Sequence, residues 1–125
     1  MEKIQTRTAE ISFVEKGIVR VKFKPDTLLD KPDILENLEA SSKLAGGRHC
    51  AILEINNSAG ITNEALRFAG SKENARYRIA NALFIKAASV QLLWNLFISF
   101  FVPTVQNKVF TVEKKAMEWL RRFLD

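Results

Sequence analysis

Residues 51–55, AILEI, form a short and nearly continuous apolar run rich in β-formers. A half-buried strand alternates apolar and polar residues, whereas a strand covered on both faces has no polar side to show. The run is therefore read as an interior strand of a sheet. Residues 79–85, IANALFI, repeat the pattern and are read the same way. Between them lie a loop, NNSAG, and a helix capped by Thr62 that runs through Ala65, Leu66 and Ala69. Gly70–Ser71 interrupts that helix, and Ser71 caps a second turn-like segment reaching Tyr77. Strand, helix and strand in this order imply a right-handed crossover between parallel strands.

Working outward from this unit, KVF at 108–110 predicts a short last strand. Thr111 then caps an amphipathic C-terminal helix whose Ala116, Trp119, Leu120, Phe123 and Leu124 share one face. Upstream, Asp30-Lys31-Pro32-Asp33 reads as a helix start, with Asp30 capping and Pro32 in the first turn. Ile34, Leu35, Leu38 and Ala45 mark the inner face of that helix, and Gly46–Gly47 takes the left-handed stop. Ile11 and Phe13, then Val19, Val21 and Phe23, alternate with polar residues as in a hairpin. A three-residue loop, Glu15-Lys16-Gly17 with Gly17 left-handed, sets Phe13 against Val19, Ile11 against Val21 and Glu10 against Lys22. A two-residue loop would set Phe13 against Arg20 and mix the faces, so the longer loop is expected. The fold class is α/β: a mixed sheet of about five strands with an N-terminal antiparallel hairpin and about four helices, in one domain over residues 1–125.

The most apolar stretch is SVQLLWNLFISFFVP, residues 89–103. As a helix it carries one polar stripe, Gln91, Asn95 and Ser99, and is apolar all round otherwise. Joined to the preceding strand it reaches the roughly 20 residues of a membrane span. That reading would place Gln91 and Asn95 in lipid and remove an interior strand, so no membrane span is expected. A helix packed on one side of a sheet needs a narrower apolar face than this. Burial between the sheet and the C-terminal helix covers much of the excess. The remaining side, Trp94, Phe97 and Phe101, is expected to form a dimer interface or to line a pocket for an apolar ligand.

Composition narrows the chemistry. With 47% hydrophobic and 26% charged residues the chain is an ordinary globular one, and its net charge of +5 is a general field rather than a site. Cys50 is the single cysteine and His49 the single histidine, which excludes an intramolecular disulfide and the usual zinc ligand sets. The start, MEKIQTRTAE, lacks the apolar run of a signal peptide, and a cytoplasmic setting is expected. AGGRHC has neither the spacing nor the context of a phosphate-binding loop, and no cofactor motif is found. His49 has no motif around it and Cys50 reads as a small core residue, so an enzyme is not expected. Arg20, Lys22 and Lys24 line one strand face without interleaved aromatic residues, so nucleic acid is not the expected partner, and Arg76 and Arg78 carry no clearer signal.

From AILEI onward, the elements LEI, TNEALRFAGSKENARYR, IANALFI, the long apolar helix and VFTVEKKAMEWL resemble small bacterial proteins with the STAS fold. This is the fold of sulfate-transporter and anti-sigma-factor-antagonist domains, and the likeness is to an uncharacterised branch also related to lipid-binding Sec14 domains. In the sporulation-type antagonists an Asp-Ser-Ser-Gly stretch begins a helix, and its second serine is phosphorylated by a partner kinase. Counted from Leu53-Glu54-Ile55, the matching stretch here is Thr62-Asn63-Glu64-Ala65, so Glu64 stands at the acceptor position. A carboxylate in a first helical turn is favourable by itself, by about 0.3–1 kcal/mol. Ser58 and Thr62 are the hydroxyls left as acceptors.

The resemblance implies a non-enzymatic interaction domain in bacterial signalling, with an unidentified protein partner and a homodimeric assembly. Its binding residues would be Asn56, Asn57 and Ser58 in the loop and Thr62, Asn63 and Glu64 at the helix start. The alternative is a carrier or sensor of an apolar small molecule or lipid, held at Trp94, Phe97 and Phe101.

Overall fold

The computed structural model describes residues 2–55, 60–86 and 105–124. In chain order these form β1 (Lys3–Gln5), β2 (Ala9–Glu15), β3 (Ile18–Phe23), β4 (Leu28–Leu29), α1 (Lys31–Ala45), β5 (His49–Glu54), β6 (Gly60–Ile61), α2 (Asn63–Ala69), α3 (Lys72–Ala75), β7 (Arg78–Phe84), β8 (Gln106–Phe110) and α4 (Glu113–Arg121). One six-stranded sheet has the order β1-β2-β3-β5-β7-β8, and β4 pairs with β6 in a separate two-stranded ladder. The first three strands are antiparallel and the last four are parallel.

The hairpin has the expected register: Phe13 pairs with Val19, Ile11 with Val21 and Glu10 with Lys22. It reaches that register by another route. The strand continues to Glu15, which pairs with Ile18, and the extra residue is a bulge between Phe13 and Glu15. Gly17 takes φ 83° in the turn, and a Cβ there would sit 3.0 Å from Leu124 Cδ2, so this glycine answers both to the turn and to the segment that follows α4.

Each sheet face packs a helix. On one side Ile18, Cys50, Ile52, Ala80 and Ala82 meet Ala116, Met117 and Leu120 of α4. Phe110, Trp119 and Phe123 extend this core, with ring centroids 5.6 and 4.9 Å apart in sequence. On the other side Ala9, Ile11, Val19, Val21, Phe23 and Ala51 meet Ile34, Ala40 and Leu44 of α1. Asp30 caps α1 by accepting from the Lys31 amide at 2.9 Å, and Gly46 ends it at φ 80°. Thr62 and Ser71 cap α2 and α3 as the sequence predicts.

Among the described residues the mixed sheet carries the expected strands and one more, the edge β1, which KIQ, three residues without an apolar period, does not announce. Three expectations need correction. β8 is longer than KVF and starts at Gln106. Val112, not Thr111, precedes α4, and its side chain makes no cap bond. The docking of Ala116 and Leu120 sets where that helix begins. Leu35 is 37% exposed, whereas Asp33, Asn37 and Ser41 of α1 are buried. Asp33 and Asn37 face polar groups of the turn between β1 and β2, where Arg7 Nε donates to Asp33 Oδ1, Thr6 Oγ1 donates to Asn37 Oδ1 at 2.6 Å and Asn37 Nδ2 donates to Thr8 Oγ1 at 3.0 Å, while Ser41 Oγ donates to the Asn37 carbonyl at 2.7 Å. The apolar helix at 89–103 lies outside the described residues, as do Trp94, Phe97 and Phe101. Among the described residues no helix is long and apolar enough to cross a membrane.

Candidate functional site

The parallel strands β3 and β5 both lead, past their carboxyl ends, into a short strand followed by a helix. β3 continues to β4 and α1, and β5 continues to β6 and α2. The two short strands run parallel, with Leu28 beside Gly60 and Leu29 beside Ile61. The Gly60 amide donates to the Thr27 carbonyl and the Thr62 amide to the Leu29 carbonyl, each at 2.9 Å. This ladder brings the two helix starts together. Loop backbones must find hydrogen-bond partners wherever water is excluded, and here each entry segment satisfies the other.

The caps complete the junction. Thr62 Oγ1 accepts from the Ala65 amide at 3.1 Å and donates to Asp30 Oδ1 at 2.9 Å. Asp30 thus serves both helices, and its own amide donates to Asp33 Oδ2 at 2.9 Å in a reciprocal capping box. Arg7 holds Asp33 from behind: Nε donates to Oδ1 at 2.8 Å, and Nη2 donates to the Leu28 carbonyl at 2.9 Å. The Arg7 guanidinium keeps the Asp33 carboxyl below the usual aspartate range despite its burial. Lys31 Nζ lies 5.4 Å from the centre of the Phe68 ring, spanning α1 and α2.

Of the expected binding residues, Thr62, Asn63 and Glu64 stand together in and before the first turn of α2, and Asn63 and Glu64 are exposed. Asn56, Asn57 and Ser58 lie outside the described residues. Thr62 is not a free hydroxyl. A phosphate there would remove the α2 cap and set its charge against Asp30. The structure adds Leu28, 60% exposed, together with Asp30 and Lys31. Sequence reasoning took Asp30 only as a cap, and a two-residue strand at Leu28 has too little length to show a period.

The other candidate chemistry is accounted for locally. Arg20 pairs with Glu54 at 3.2 Å and with Glu113, and Lys22 lies 4.0 Å from Glu54. Lys24 Nζ donates to the Thr6 carbonyl at 2.7 Å. Cys50 is fully buried, and burial pushes its thiol above the ordinary range, away from thiolate character. His49 is fully buried, with Nδ1 2.9 Å from the Gly47 carbonyl. Burial, and secondarily the charge of Arg78, lower its pKa to about 4, so it is neutral at pH 7. Among the described residues no group of three or more His, Cys, Asp or Glu is placed to hold a metal.

No curated protein matches the chain. Among solved structures, it is similar to an uncharacterised protein of the DUF3478 family with a SpoIIAA-like fold from Shewanella loihica PV-4. The TM-score is 0.54 at 15% sequence identity, and the match covers 95% of this chain and 90% of the other. At that identity the likeness establishes the fold alone, which is SpoIIAA-like and therefore STAS-like. Residues 12–124 match the family described as Domain of unknown function (DUF7793), and the chain belongs to that family.

Proposed function

We propose that the chain is a non-enzymatic regulatory domain of the cytoplasm that binds a protein partner through the joined starts of α1 and α2. The observation that carries this reading is the bond from Thr62 to Asp30, which with the β4–β6 ladder ties two helix starts into one platform. A surface held in this way loses little conformational entropy on binding. Its outer groups support the reading further: Leu28 supplies apolar area, and Lys31, Asn63 and Glu64 supply a polar rim.

The test begins by purifying the partner on the wild-type chain and then measures its affinity for Leu28→Asp and Glu64→Lys. Each variant is expected to weaken binding at least about tenfold, equivalent to about 1.4 kcal/mol, while the melting temperature stays within a few degrees. Unchanged affinity in both variants would remove this surface from the proposal. Native mass spectrometry of the same samples reads the proposed homodimer directly.

A further inference from the structure

At the opposite, amino-terminal edge of the parallel strands lies a buried cation that no carboxylate of the described residues pairs. Arg78 opens β7 and is 4% exposed. Its Nε donates to His49 Nε2 at 3.1 Å, and its Nη1 donates to Asn81 Oδ1. The register explains how one strand supplies both ends of this contact. His49 pairs with Arg78 and Ala51 with Asn81, so β7 carries one extra residue there, and the bulge turns Arg78 and Asn81 to the same face. The polar row then crosses to β8, where Asn81 Nδ2 donates to Asn107 Oδ1 at 3.0 Å and Asn107 Nδ2 donates to the Val105 carbonyl at 2.8 Å.

Buried charges are normally paired with opposite charges. Among the described residues the hydrogen-bond partners of Arg78 are instead a neutral imidazole and an amide, and it forms no ion pair. Residues 87–104, which connect β7 to β8, contain neither Asp nor Glu. Among the described residues Nε and Nη1 have acceptors and Nη2 has none. Two further arginines lie on the adjoining segments. Arg48 Nε donates to the Ala75 carbonyl at 2.9 Å and the His49 amide donates to the Tyr77 carbonyl at 3.0 Å, so residues 47–49 and 75–78 are stitched together. Arg48 and Arg76 are both exposed there, with Lys72 and Glu73 as the charged groups of α3.

We propose that Arg78 is the buried anchor of an oxyanion site, taking a carboxylate or phosphate group on its Nη2 edge, with Arg48 and Arg76 drawing the anion in. His49 and Asn81 are positioning residues: the imidazole accepts from Nε and the amide from Nη1, which aims the remaining edge. This site lies at the other end of the strands from the α1–α2 junction and stands or falls independently of it.

The test follows the arginine Nε–H resonances of the 15N-labelled full chain during titration with inorganic phosphate and, separately, with acetate. Arg78→Met identifies the Arg78 signal. A saturable shift is expected with a dissociation constant on the order of 1 mM. A response to phosphate alone identifies a phosphate ligand, and one to acetate alone a carboxylate. By calorimetry, Arg78→Met is expected to lose the binding heat, and Arg78→Lys, which keeps the charge without the fork, to bind at least about tenfold more weakly. Should neither variant fold, the exposed double variant Arg48→Ala/Arg76→Ala supplies the readout, again with about tenfold weaker binding expected. Absence of a saturable shift with either anion, a shift that chloride reproduces at equal ionic strength, or binding that survives loss of the arginines would overturn the proposal.

Discussion

Where α4 meets the sheet, Ala116 and Leu120 are fully buried against Ile18, Cys50, Ile52, Ala80 and Ala82, and the ion pairs of Arg20 with Glu113 and of Arg121 with Glu15 stand at the partly exposed margin of this apolar core. Where α1 meets it, the buried residues include Asp33, Asn37 and Ser41 as well as Leu38. Successive strand residues point to opposite faces, so His49 and Asn81, each next to residues of the α4 core, also belong to the α1 side. The buried part of one face is thus held by non-directional burial. The other combines burial with hydrogen bonds that tolerate only one arrangement. A buried polar group is worth little when paired and costs a great deal when its partner is removed. The α1 side therefore specifies position, and it is the side on which both helix starts of the proposed junction are set.

The comparison breaks most sharply at Leu120. Leu120→Ala should destabilise the chain by about 2–5 kcal/mol in urea unfolding, through lost burial and the cavity left behind. A smaller loss would mean that α4 is not a principal support of the sheet. On the polar side the strongest effect should come from pH. The unfolded His49 takes up a proton near its ordinary value of 6.5, whereas the folded one resists until about 4. The unfolded state binds more protons between these values, so this contribution is complete above the unfolded value and is lost as pH falls towards 4, by roughly 3 kcal/mol. His49→Gln should flatten that part of the stability profile. An unchanged slope would show that His49 does not carry it.

Asn37→Ala comes next. It leaves the hydroxyls of Thr6 and Thr8 without their shared partner and should cost about 1–3 kcal/mol. An equal cost for Asn37→Ala in a Thr6→Ala background would deny that the two residues are coupled. Thr62→Ala removes the α2 cap and the link to Asp30, for an expected loss of about 1 kcal/mol by thermal unfolding. Glu64→Gln should fall within about 0.5 kcal/mol of wild type, because an exposed first-turn carboxylate contributes only through the helix dipole.

What was legible in the chain follows the same division. The hairpin register was readable because Ile11, Phe13, Val19, Val21 and Phe23 share one face, and a one-residue slip would expose them. The helix caps Asp30, Thr62 and Ser71 were readable because a capping side chain bonds within three residues of itself. The inner face of α1 was misread at Leu35 because the partners of Asn37 are 31 and 29 positions away. Arg78 and His49 are likewise 29 positions apart, and nothing in either local sequence marks the pair. Half of the candidate junction was readable, Thr62 through Glu64. Leu28 and Lys31 joined it only through the β4–β6 ladder.

The sequence by itself determined the α/β class, the presence of two interior strands within 49–54 and 78–84, the hairpin register and the starts of the first three helices, because periodicity and capping are interactions between near neighbours. Tertiary structure alone decided the strand order, the polar docking of α1, the meeting of two helix starts and the burial of Arg78. Each of these depends on a hydrogen bond or a contact between residues far apart in the chain. Their partners are chosen by the geometry of the folded sheet, and a local pattern carries no record of that choice.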